Sequence, residues 1–238
     1  MDINGRKAIV LGGTSGIGLA ATRQLETAGA SVVACSRSGS NLESAKEQTG
    51  SNVSFRQVDV LDRAGLADLF EEEAPFDILV NGATGGARAS GPFLEMDLDG
   101  FQGSFRKLWG YTNSVRLGTQ YLPEDGAIVL VSGYPARKSN PGSSAISTVG
   151  NAVEGFVRAI APEIVPRRIN VVCPGVIDTP MFPQEGENRD VFLQRATSRM
   201  LIPRAGTADE VASAIIFLIQ NDYMTGSTID VEGGALLP

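Results

Sequence analysis

The chain runs to 238 residues, 42% hydrophobic and 20% charged, a size and balance suited to one α/β domain with a large core. Its formal net charge of -7 speaks against a nucleic-acid surface, which needs basic patches, and no apolar run approaches the length of a membrane span. Histidine is absent, which removes Ser-His-Asp catalysis and histidine metal ligation, so no metal site is expected.

The opening Met1-Asp2-Ile3-Asn4 has no basic-then-apolar signal pattern, so a cytoplasmic location is expected, with neither membrane nor nucleic acid as partner. A short apolar run over 7–11 then stops abruptly at Gly12-Gly13-Thr14-Ser15-Gly16-Ile17-Gly18, and a helical pattern follows over 17–28. A strand, a tight glycine turn and a helix N-terminus make a cradle for a pyrophosphate. The glycines let the backbone approach the phosphates, and the free N–H groups and helix dipole favour negative charge. The sequence therefore predicts a dinucleotide site.

Apolar runs at 31–35, 53–57, 78–81, 127–131, 169–173 and 228–231 repeat the strand signature, apolar on both faces as buried parallel strands are. Helical patterns near 41–49, 63–72, 99–121, 144–161 and 208–220 fall between them. The alternation predicts a Rossmann-type, doubly wound α/β fold, a parallel sheet with helices on both faces, as one domain over 1–238. Ligands of such sheets sit beyond the carboxyl ends of the strands. Two segments read as active-site loops: 82–92, with four glycines and Pro92, and 178–200, the expected substrate loop, with Pro180 and Pro183. Cys35 and Cys173 each end a strand and read as lone buried thiols.

In order and spacing, these pieces resemble the short-chain dehydrogenase/reductase family over nearly the full length. Gly12-x3-Gly16-Ile17-Gly18 resembles its cofactor turn. Asp59-Val60 ends the third strand, where the family contacts adenine, and Asn81-Gly82-Ala83 ends the fourth. Pro174-Gly175-Val176-Ile177-Asp178-Thr179-Pro180 follows the sixth, where the family's backbone and hydroxyl contacts reach the nicotinamide end. Residues 202–211 and 225–234 resemble its C-terminal segments. The resemblance implies hydride transfer between a nicotinamide dinucleotide and a small carbonyl or alcohol. It also implies a homo-oligomer, tetramer or dimer, built on the fourth and fifth helices and the C-terminal segment, where Leu236-Leu237-Pro238 forms an apolar tail.

The end of the second strand bears on cofactor choice. Folds that prefer NAD carry an acidic residue about twenty positions past the glycine turn. Here the strand ends Cys35-Ser36-Arg37-Ser38, without a carboxylate to repel a 2′-phosphate. Arg37 offers a forked cation and Ser36 and Ser38 offer hydroxyls beside it. NADP(H) is therefore expected over NAD(H); a solvated loop arginine is the alternative.

The family's chemistry is carried by a Ser, a Tyr acid/base and a Lys four residues later, often with a helix Asn. Counting back from Asn151-Ala152-Val153-Glu154-Gly155-Phe156 puts Ile146 where the Tyr belongs and Gly150 where the Lys belongs. The Ser column falls on Gly133 or on Ser132, and Arg106-Lys107-Leu108-Trp109-Gly110 holds no Asn. A literal Tyr-x3-Lys does occur at Tyr134-Pro135-Ala136-Arg137-Lys138, but Pro135 disfavours helical geometry at Tyr134. Ser132 and Tyr134 are the candidate catalytic hydroxyls; the alternative for Tyr134 is a loop aromatic over apolar surface. Lys107, Trp109 and Tyr111 on the fourth helix pattern are candidates to line the pocket; the other reading is core packing for Trp109 and Tyr111 and a solvated charge for Lys107. Two functions follow from this: a divergent NADP(H)-dependent oxidoreductase, or a non-catalytic NADP(H)-binding sensor or silent subunit.

Overall fold

In the computed structural model, which describes residues 1–86 and 88–238, the strands are β1 (Lys7–Leu11), β2 (Ser31–Ser36), β3 (Val53–Gln57), β4 (Ile78–Asn81), β5 (Ala127–Val131), β6 (Arg168–Pro174), β7 (Ile177–Asp178), β8 (Gly206–Thr207) and β9 (Thr228–Val231). Seven of them form one sheet in the order β3-β2-β1-β4-β5-β6-β9, and every pairing in it is parallel. β7 and β8 pair separately beside it. The helices are α1 (Gly16–Thr27), α2 (Gly39–Lys46), α3 (Arg63–Glu72), α4 (Leu98–Ser104), α5 (Arg106–Gly118), α6 (Ser144–Ile160), α7 (Gly186–Thr197) and α8 (Ala208–Gln220).

The sheet is apolar on both sides because successive side chains point to opposite faces. Along β1, Ala8 and Val10 join Ala20 and Leu25 of α1 and Val211 and Ile215 of α8. Ile9 and Leu11 join the other layer, with Phe70 of α3, Tyr111 of α5 and Val153 of α6. Leu11 registers with Cys35 on one side and Asn81 on the other, so the strands end level at one edge. Chain order reverses between β1 and β4, which opens a crevice at that edge.

The strand pattern of the sequence holds, and two helices differ from it. The expected helix over 41–49 starts earlier, because the Ser38 hydroxyl accepts the Asn41 N–H and caps α2. The expected helix over 99–121 is broken at Phe105, which ends α4 and precedes α5. There the Phe105 N–H turns to the Gln102 carbonyl, a tighter three-residue step. The apolar rhythm runs straight through the break, since Phe101 and Phe105 still pack with ring centroids 6.0 Å apart. Periodicity alone gives no sign of the break.

Candidate active site

The glycine turn lies where β1 meets α1. Gly12 adopts φ +78, and a side chain there would meet the Ala83 nitrogen at 2.9 Å. A Cβ on Gly18 would stand 2.0 Å from the Gly12 carbonyl oxygen, so only glycine closes this turn. Ser15 is extended and gives no side-chain cap to α1, which leaves the first N–H groups of that helix open to an anion. Thr14 is buried, Ser15 exposed and Ile17 half-buried against the α1–α8 layer. Thr179, buried beyond β7, packs against Gly16 and closes the far side of the turn. These features fit the diphosphate of a dinucleotide: a tight turn, bare amides and a hydroxyl-bearing wall.

The end of β2 carries the groups expected at a 2′-phosphate. The Ser36 hydroxyl accepts the Ser38 N–H, and the Ser38 hydroxyl pairs with that of Ser40. The Arg37 side chain is 51% exposed. One expectation needs correction here. A carboxylate does reach this point, because Asp59, beyond β3, lies 3.7 Å from the Arg37 guanidinium. Strand register carries β3 alongside β2, a neighbour that counting from the glycine turn does not see. Val60 is buried beside Asp59, and its carbonyl accepts from Asn113 of α5.

At the end of β4, Asn81 Nδ2 donates to Ser114 Oγ at 2.8 Å while its Oδ1 accepts the Ala83 N–H. Asn81 thus fixes the turn through Gly82 and Ala83 against the glycine loop. Pro174 ends β6, and the Gly175 N–H bonds the Val231 carbonyl. Ile177 is buried in the β7–β8 pair. The expected cofactor residues therefore line one edge of the sheet. The two expected active-site loops also meet, with Arg88 Nη2 2.7 Å from Met181 Sδ. In the second loop, Arg189 of α7 donates to Asp178 and to the carbonyls of Thr179 and Phe182.

Ser132, Gly133, Ile146 and Gly150 come together with Lys107 and Arg88 around a cavity of about 40 Å³. The Ser132 hydroxyl donates to the Gly150 carbonyl at 3.2 Å. Tyr134 begins a short turn, half-buried, and is not among the residues on this wall. The literal Tyr-x3-Lys does not assemble. Lys138 Nζ donates to the Ala235 and Leu237 carbonyls, and Arg137 pairs with Glu154 and Asp230.

Of the two readings of Lys107, pocket lining or a solvated charge, the structure bears out the first: it is only 9% exposed, lines the cavity, and its Nζ donates to the Ser132 carbonyl at 3.2 Å. Burial holds its ammonium down to about 7, with the Arg88 charge adding to the effect and Cys173 opposing it. Trp109, expected in the core, is 55% exposed, whereas Tyr111 is fully buried and donates to the Val131 carbonyl. Helical geometry explains both: residues 107 and 111 share a face, and 109 lies on the other side. Tyr111 reads as core from the sequence, and its neighbour one turn back goes inside with it. Burial also raises the Cys35 thiol and pushes Cys173 up to about 12, so both behave as apolar packing. Among the described residues no helix is long and apolar enough to cross a membrane.

The family model described as Enoyl-(Acyl carrier protein) reductase matches residues 12–235. The 3-oxoacyl-(acyl-carrier-protein) reductase FabG of Thermotoga maritima is 30% identical, with 100% of each chain covered. A small-chain dehydrogenase solved in complex with NADPH is 28% identical with TM-score 0.81, covering 99% of this chain and 100% of that one. A short-chain oxidoreductase from Pseudomonas aeruginosa PAO1, described as containing an atypical catalytic center, is 29% identical with TM-score 0.88, covering 97% of each. Given this full-length agreement of sequence and fold, the chain belongs to the short-chain dehydrogenase/reductase family of oxidoreductases.

Proposed function

We propose that the chain is an NADP(H)-dependent oxidoreductase of a small carbonyl or alcohol, with Ile146 and Gly150 standing where the family carries its Tyr and Lys. The observation that carries this reading is the pairing of a closed glycine cradle at Gly12, Gly16 and Gly18 with a cavity at the same sheet edge that Arg88, Lys107 and Ser132 line. When bound, a reduced nicotinamide dinucleotide supplies a hydride to a carbonyl carbon. The chain holds the diphosphate at the α1 N-terminus, and Thr179 and Pro174–Ile177 flank the nicotinamide end. Arg37, with the Ser36 and Ser38 hydroxyls, favours the 2′-phosphate, and Asp59 limits that preference by sharing the guanidinium. The loop over 178–200, which meets Arg88 through Met181, covers a substrate held at the cavity that Lys107 and Ser132 line. The enzyme acts in the cytoplasm as a homo-oligomer, with the C-terminal tail in the interface.

Calorimetry with NADPH and NADH, followed by NADPH oxidation with diacetyl, ethyl acetoacetate and benzaldehyde, tests the reading. Ser132→Ala and Tyr134→Phe test the two hydroxyls that the sequence nominates. A second reading, a non-catalytic NADP(H)-binding sensor or silent subunit, is favoured by the apolar Ile146 on the cavity wall. It expects NADPH to raise the melting temperature without turnover.

A further inference from the structure

Among the described residues, the cavity between α5, the end of β5 and α6 has one side chain that titrates near neutrality. Of its walls, Ile146, Val149, Gly133, Pro135 and Gly150 carry no titratable group, and the Ser132 and Ser104 hydroxyls are engaged by the Gly150 and Gly100 carbonyls. Arg88 faces it too, but a guanidinium does not release its proton near neutrality. Lys107 remains. Its Nζ is held by the Ser132 carbonyl at 3.2 Å and lies 5.6 Å from the centroid of the Tyr111 ring. Two of its three N–H groups have no protein partner among the described residues.

We propose that Lys107 is the proton donor of this active site, delivering its proton to the oxygen of a carbonyl substrate seated in the cavity. The proposal rests on the oxidoreductase reading above. In the reductive direction, the carbonyl carbon takes the hydride of the reduced dinucleotide. The C=O π pair forms an O–H bond with a Lys107 proton, and the N–H bond breaks. The neutral amine then recovers a proton from water. The groups facing Lys107 are Arg88 from the loop over 82–92, Tyr111 on its own helix and Cys173 from β6. Among the described residues no carboxylate pairs with it, so nothing pins it in the charged form.

Position 150 does not accept a lysine in its place. A Cβ there would lie 2.7 Å from Ala136 Cβ and 3.3 Å from Ser132 Oγ. The ammonium therefore enters the cavity from the neighbouring helix.

The chain's lysines are Lys7, Lys46, Lys107 and Lys138, few enough for each to be followed by NMR in lysine-labelled apoprotein. The Lys107 resonance, assigned by its loss in Lys107→Met, is expected to titrate near 7; a midpoint near 10 overturns the proposal. In NADPH oxidation with diacetyl, Lys107→Met is expected to lower kcat on the order of a hundredfold and to abolish the fall in rate above neutral pH. Lys107→Gln gives a second variant should Lys107→Met fold poorly. Variants that keep the wild-type rate and pH profile overturn Lys107 alone. A wild-type protein that binds NADPH but reduces none of the carbonyl probes overturns the oxidoreductase reading itself, and Lys107 with it.

Discussion

Lys107 donates to the main-chain carbonyl of Ser132, which ties the first turn of α5 to the residue just past β5. The contact spans twenty-five positions of sequence and puts the one titratable amine of the cavity beside a hydroxyl that is itself held by α6.

A buried lysine has a stability signature with a definite sign. The folded value near 7 lies below the ordinary lysine value of about 10.4. Below pH 7 both states are protonated and the cost of burying the charge is present in full. Between about 7 and 10.4 the folded state has shed the proton that the unfolded state retains, so stability rises with pH. Lys107→Met removes the cost. It is expected to raise the melting temperature at pH 6 and to lose most of that advantage by pH 10. An advantage that grows with pH contradicts a buried ammonium.

In the proposed reading, Arg37 and Asp59 set cofactor discrimination together. Arg37→Ala is expected to weaken NADPH binding by about 1.5–3 kcal/mol, as for a lost charged hydrogen bond, and to leave NADH nearly unchanged. Asp59→Asn frees the guanidinium and is expected to raise the ratio of NADPH to NADH affinity several-fold. Paired calorimetric titrations read both effects. An Arg37→Ala protein with unaltered NADPH affinity would falsify the phosphate role.

Gly18→Ala places a methyl group 2.0 Å from the Gly12 carbonyl oxygen. The turn must open to accept it. A loss of about 1–3 kcal/mol in stability is expected, together with loss of the thermal shift produced by NADPH. Denaturant unfolding with and without cofactor separates the two.

Arg137 and Lys138 stand side by side in the literal motif and are expected to behave differently. Glu154 is 5% exposed and relies on Arg137 at 3.3 Å and Arg158 at 3.6 Å. Arg137→Ala leaves this carboxylate short of one partner, and a loss of about 1–3 kcal/mol is expected. Lys138→Ala releases only carbonyl contacts of the C-terminal tail and is expected to leave turnover unchanged. A Lys138→Ala protein without activity would bring the Tyr-x3-Lys reading back.

Much of the cofactor half is legible along the chain because its signals are local. A strand, a glycine turn and a helix start occupy consecutive residues, and β1 and α1 follow from them. The catalytic half is less legible. The break at Phe105 interrupts a helix without interrupting its apolar rhythm, and Asp59 reaches Arg37 only through strand register. No window of neighbours contains either fact.

Sequence alone therefore determined the parallel sheet, the tight glycine turn between β1 and α1 and the absence of Tyr and Lys at 146 and 150, since each depends on residue type and short spacing. Tertiary structure alone decided where the cation goes. Glycines at 133 and 150 stand on the wall of a cavity between β5 and α6, and a long side chain from α5 reaches it. Burial sums contacts between segments remote in the chain, so a lysine that reads as solvent-facing among Arg106 and Leu108 lies inside, with its charge weakened by lost hydration.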